Sequence, residues 1–228
     1  MSLRVVVLLL WILGPFPGPG RGALAADPAA DPAAGERPRV VVLGDSLAAG
    51  FGLDPTEAFP ALLQQQVDAA GLKFTVVNAG VSGDTSAGGL RRVDWLLRRP
   101  VDVLVLELGG NDGLRGIPVS ATRSNLQAIV DRTRQKYPQA DVVVAGMQMP
   151  SNMGPEYNEP FARIFPELAA TNRAALVPFL LEGVGGKPEL NLPDLIHPTA
   201  EGQRMVATNV WKVLRPVLEK RAGKATSP

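Results

Sequence analysis

A serine hydroxyl becomes a useful nucleophile only when a base accepts its proton, and a carboxylate behind that base fixes its tautomer and steadies its charge. This sequence holds a candidate for each part. Ser46 follows a short apolar run, residues 40–43, in the string Gly44-Asp45-Ser46-Leu47. His197 is the only histidine among the 228 residues, and Asp194 stands three positions before it. Histidine suits the base because its ordinary pKa lies near neutrality, and one loop supplies both base and acid. Acyl transfer also needs donors for a developing oxyanion. A glycine that lets backbone approach and an asparagine amide both serve. Gly83 and Asn111 fit these roles, with the amide of Ser46 as a third donor.

These residues are far apart in sequence, so the elements between them must gather them. The run 40–43 is β-branched and does not alternate, as in a strand buried on both faces. Further strands are expected at 74–77, 101–108, 141–145 and 175–178. Helices are expected at 56–71, from Thr85 or Ser86 to before Pro100, at 118–137, at 157–172 with a kink at Pro166, and from Thr199 to about 219. Strands alternating with helices give an α/β fold, a three-layer α/β/α doubly wound arrangement on a five-stranded parallel sheet. Ser46, Gly83, Asn111, Asp194 and His197 all follow strands, and in a parallel sheet those loops share one edge. Arg91, Arg92, Arg98 and Arg99 read as a solvated helix face.

Taken singly, each residue has a plain structural reading. Ser46 is a potential helix cap, Asn111 belongs to an Asn-Asp-Gly turn, His197 fits a structural role, and Gly83 gives room to the backbone. Together, in order on one edge, they point to catalysis. Asp45, Asp84 and Asp112 read as carboxylates that brace loops, and Asp112 is the one most easily confused with the triad acid. Met147 reads as core, while Met149 and Met153 are left open between core and an acyl groove.

Composition narrows the alternatives. There is no cysteine, so disulfides, thiolate metal sites and a cysteine nucleophile are excluded. A single histidine argues against a zinc hydrolase, and no metal is expected. No G-x-S-x-G elbow, P-loop or dinucleotide fingerprint occurs. Residues 1–25 combine Arg4, a nine-residue apolar run at 5–13 and Ala23-Leu24-Ala25, the pattern of a removable secretory signal, too short to span a bilayer. Cleavage after Ala25 removes Arg4 and Arg21, leaving 21 basic against 22 acidic residues, with no electrostatic footprint for nucleic acid. Residues 26–38 repeat Asp-Pro-Ala-Ala and read as a flexible spacer. The folded domain is placed at 39–219 and a disordered tail at 220–228.

The blocks Gly44-Asp45-Ser46-Leu47, Val81-Ser82-Gly83-Asp84-Thr85, Gly109-Gly110-Asn111-Asp112 and Asp194-x-x-His197, present in order, resemble the four sequence blocks of the SGNH (GDSL) hydrolases. The runs at 107–116 and 157–159 are similar to the family's bacterial periplasmic acyl hydrolases, and the likeness extends over about 39–217. The resemblance implies a flavodoxin-like strand order 2-1-3-4-5 and no cofactor. It makes Ser46 the nucleophile, Gly83 and Asn111 the oxyanion hole with Ser46, and Asp194 and His197 the rest of the triad. It further implies a mobile loop near 112–117 that meets the acyl chain, which with the 147–153 region gives a substrate set of Asp112, Leu114, Ile117 and Met149. The expected activity is that of a serine esterase acting on esters or thioesters (arylesterase, thioesterase or lysophospholipase). The enzyme is expected to be exported and monomeric, to act on a small acyl ester or lipid, and to have neither a nucleic-acid partner nor a membrane span after signal cleavage. A carbohydrate O-deacetylase on the same fold, and a catalytically silent binding module, stand as alternatives.

Overall fold

Five runs rich in valine and leucine form strands because parallel ladders covered on both faces favour β-branched, wholly apolar segments. They are β1 Arg39–Gly44, β2 Thr75–Gly80, β3 Val103–Glu107, β4 Asp141–Ala145 and β5 Ala175–Val177. All pair in parallel, in the order β2-β1-β3-β4-β5. β1 lies inside the sheet and pairs on both sides, Val42 opposite Asn78 and Val105. The computed structural model describes residues 37–225. The expected secretory signal, the spacer up to residue 36 and residues 226–228 lie outside them.

Seven helices complete the three layers: α1 Ser46–Ala49, α2 Phe59–Ala69, α3 Ser86–Leu96, α4 Gly110–Leu114, α5 Val119–Lys136, α6 Pro155–Thr171 and α7 Ala200–Ala225. Thr85 caps α3 by accepting from the Gly88 amide. α2 starts later than expected. Asp54 binds both the amide and the hydroxyl of Thr56, which ties 55–57 into a separate 3₁₀ turn, and the helix restarts at Phe59. Its buried face is Phe59, Leu63 and Val67, while Ala70 is exposed.

Two further expectations are corrected. The tail does not begin at 220, because α7 continues to Ala225. Arg221 holds that last stretch to the sheet, donating to Asp102, Asp141 and the Gln139 carbonyl. Arg92, assigned to a solvated face, is turned inward. It pairs with Asp84 at 2.7 Å and donates to the Gly44 and Ala79 carbonyls, so one guanidinium ties the ends of β1 and β2 together. These carbonyls lie where the strands stop, and a five-donor fork satisfies them.

Candidate active site

Where β1 ends, Asp45 caps α1 by accepting from the Leu47 amide, and Ser46 becomes the first residue of that four-residue helix. First-turn amides have no partner inside their own helix, so the Ser46 N–H is free to face a ligand. The turn is tight. A Cβ on Gly44 would lie 2.3 Å from the Glu107 carboxylate and 2.6 Å from Ala48, and one on Gly80 would lie 2.4 Å from the Ala49 nitrogen. Only glycines at these two strand ends let α1 settle against β2 and β3.

The acid–base loop lies beyond β5. The Asp194 carboxylate accepts from the amides of Ile196 and His197, and the Leu192 amide donates to the His197 carbonyl at 2.7 Å. Leu195 takes a left-handed φ of 60°, unusual for a bulky side chain and a local strain in this short turn. Folding brings the loop to α1. His197 Nδ1 lies 2.6 Å from Asp194 Oδ2, and Nε2 lies 2.9 Å from Ser46 Oγ, across 151 residues of chain. The His197 amide, then its imidazole and the Ile196 amide, hold the Asp194 carboxyl down to about 2, so it is charged at any ordinary pH. A charged acid, an imidazole and a hydroxyl in hydrogen-bonded series form an arrangement able to move a proton off the hydroxyl.

Asn111 projects from α4 beside the same turn. Its Nδ2 donates to Asp45 Oδ2 at 3.1 Å and to the Asp84 carbonyl at 3.0 Å, occupying both amide hydrogens. Gly83 sits in the loop after β2 with a left-handed φ of 79°, and its carbonyl accepts from Arg115. Gly83 is not among the residues that line the cleft at Ser46, whereas Asn111 is. Beneath the site two acids face each other. Burial pushes Asp45 up to about 6, against the pull of the Leu47 amide and Asn111. Glu107 is fully buried and raised well above the carboxylate range, first by burial and then by the Asp45 charge. Its Oε2 accepts from the Asp45 amide, and its Oε1 has no partner.

A cleft of about 670 Å³ opens at Ser46. Leu114 and Met149, two of the four expected substrate residues, line it with Phe179, Leu181 and Ile196. The other two do not. Asp112 is fully buried and accepts from the amide and hydroxyl of Ser86 and from Thr122, which pins α4 to α3 and α5. Ile117 is not among the residues lining the cleft, and its carbonyl accepts from the Tyr157 hydroxyl. Sequence reasoning missed Glu107 and Phe51, whose ring lies 4.4 Å from the His197 ring. An acid set among the apolar residues 103–108 is the signal for the first. Nothing local signals the second. Among the described residues, no group of three or more His, Cys, Asp or Glu side chains is arranged to hold a metal ion, and no helix is long and apolar enough to cross a membrane.

Similarity to known proteins agrees with this geometry. Residues 42–205 match the GDSL-like Lipase/Acylhydrolase family. The chain is 44% identical over 180 residues to Esterase TesA of Pseudomonas aeruginosa, covering 78% of this chain and 89% of that protein. It is 40% identical over 181 residues to Thioesterase 1/protease 1/lysophospholipase L1 of Escherichia coli, covering 78% and 84%. The crystal structure of the psychrotrophic esterase EstA from Pseudoalteromonas sp., inhibited by monoethylphosphonate, superposes with a TM-score of 0.74 at 33% identity, covering 79% of this chain and 98% of that one. With its fold and most of its length shared with such proteins, the chain belongs to the GDSL-like lipase/acylhydrolase family and is an ester-hydrolysing enzyme.

Proposed function

We propose that the enzyme is an exported serine esterase whose substrates carry an extended acyl chain, and that Ser46, His197 and Asp194 are its catalytic triad. Ser46 Oγ attacks the ester carbonyl as its proton passes to His197 Nε2. The negative charge on the carbonyl oxygen is met by the amides of Ser46 and Gly83 and by Asn111. The intermediate collapses to an acyl-enzyme, and the leaving alcohol or thiol takes the proton from His197. Water repeats the attack, giving up its proton to His197, and the tetrahedral intermediate releases the acid as Ser46 recovers a proton from the imidazolium. The observation that carries this reading is the continuous hydrogen-bonded series Asp194–His197–Ser46, at 2.6 and 2.9 Å, at the mouth of the cleft.

The apolar lining contributed by Leu114, Met149, Phe179, Leu181 and Ile196 favours an acyl chain over a sugar ring. Export follows from the signal pattern at 1–25. It favours lysophospholipids and simple esters over acyl-CoA thioesters, because acyl-CoA is a cytoplasmic metabolite. Fluorophosphonate labelling combined with a chain-length series of aryl esters and a lysophospholipid panel tests the proposal. The expected result is wild-type turnover sustained on medium and long chains and on lysophospholipids, with labelling and turnover both lost in Ser46→Ala. Labelling that survives Ser46→Ala rejects the nucleophile. Activity confined to acetyl esters points instead to a deacetylase.

A further inference from the structure

The imidazole of His197 is held by a hydrogen bond at each of its two nitrogens, to Asp194 and to Ser46. With the link through Cβ these bonds set the ring plane, but only as firmly as the exposed 193–196 turn that carries the imidazole stays in place. A packing contact on the ring adds a restraint that neither hydrogen bond supplies. One residue supplies that contact: the Phe51 ring lies with its centroid 4.4 Å from that of His197, tilted by 35°.

Phe51 is itself fixed from the nucleophile's side. Gly50 closes α1 in the left-handed conformation, φ 74°, and the Phe51 amide then donates to the Ser46 carbonyl at 3.1 Å. Gly52, also left-handed, brings the following backbone so close to the acid–base loop that a Cβ there would stand 2.8 Å from Leu192 Cδ1. Phe51 thus hangs by its backbone from the residue that bears the hydroxyl and touches the base with its side chain. It takes no part in lining the cleft.

We infer that Phe51 is a positioning residue of the reaction, its ring bracing the His197 imidazole in the plane that joins Asp194 to Ser46. The inference rests on the proposed role of His197 as the base. A misaligned base slows the chemical step without weakening substrate binding, since proton transfer depends steeply on geometry. The effect therefore falls on kcat and leaves acyl-chain preference alone.

The sole histidine makes the test direct, because the imidazole ¹⁵N spectrum of untagged full-length protein contains His197 alone. The wild-type ring is expected as a single Nδ1–H tautomer. In Phe51→Ala the spectrum is expected to show mixed tautomers, and kcat for aryl esters to fall about ten-fold with KM within about two-fold and the chain-length profile unchanged. Phe51→Tyr, which keeps the ring, is expected to restore both the spectrum and most of kcat. Should the alanine variant not fold, Phe51→Leu against Phe51→Tyr carries the comparison, with leucine slowed and tyrosine not. Wild-type kcat and an unchanged tautomer in Phe51→Ala, or in Phe51→Leu, overturn the inference. So does a loss confined to KM with an altered chain-length profile. Ser46→Ala and His197→Ala, measured alongside, isolate the underlying reading, which falls if either retains turnover while the Phe51 result is read separately from the ring spectrum.

Discussion

Asn111 shows how a donor is kept ready without being idle. Both of its amide hydrogens are engaged, one by the Asp45 carboxylate and one by the Asp84 carbonyl. On the proposed reading one of these N–H groups must be shared with, or released to, the oxyanion as it forms, and the pinned carboxamide has little rotational freedom to lose in doing so. Asn111→Ala is expected to lower kcat by about 10²–10³. The same change leaves Asp45 without one of its partners, so a denaturation midpoint lowered by the equivalent of about 1 kcal/mol accompanies it. That cost is not legible in the sequence, because the two bonds join segments distant along the chain. Asp194→Asn keeps the loop bonds to the Ile196 and His197 amides but removes the charge opposite Nδ1. Its kcat is expected to fall about 10³–10⁴-fold, with a small drop in the thermal midpoint at neutral pH that disappears below about pH 4.

At the level of elements, much of the architecture was written in the chain's periodicity. Uninterrupted β-branched runs announce β1, β3 and β4, and the residues expected at 141–145 coincide with β4. The site blocks were legible because each follows a strand, and parallel strands deliver their following loops to one edge. Arg92 escaped because an arginine on a helix's polar stripe looks solvated until its stem is seen to reach carbonyls on two strands. Phe51 escaped because its partner is more than a hundred positions away. The α1–β2 contact gives this level its prediction. Gly80→Ala would place a methyl within 2.4 Å of the Ala49 nitrogen and 2.8 Å of the Ala48 carbonyl carbon, both backbone atoms of the helix that bears Ser46. Urea melts are expected to show a loss of about 1–3 kcal/mol, with phosphonate labelling of Ser46 slowed as well. Gly71→Ala, left-handed but facing open space, is the control, expected to cost about 1 kcal/mol and to leave labelling intact.

Across the whole molecule, the acids beneath Ser46 couple stability to pH. Asp45, at about 6, and Glu107, raised further by burial, bind protons more tightly folded than unfolded. Their contribution is complete below the unfolded carboxylate range, near pH 4. It is lost as pH rises through 6 and above, because the folded state then gives up protons the unfolded chain has already lost. Asp194, lowered to about 2, acts in the opposite sense, and its contribution disappears only as pH falls below about 4. Glu107→Gln is therefore expected to flatten the decline of the thermal midpoint between pH 4.5 and 8. A decline as steep as the wild type's would show that Glu107 is not the source. Long-range ties close the fold in the same region: Gln203 of α7 accepts from the Phe59 amide and donates to the Leu47 carbonyl. The pairing of Ser46 with His197 across 151 residues has a temporal consequence. During synthesis the hydroxyl emerges well before the imidazole, so a polypeptide cut short before residue 197 lacks the base that the proposed reading assigns to it. On that reading ester cleavage waits until the loop after β5 docks beside α1, and the Ser46 hydroxyl stays unactivated until then.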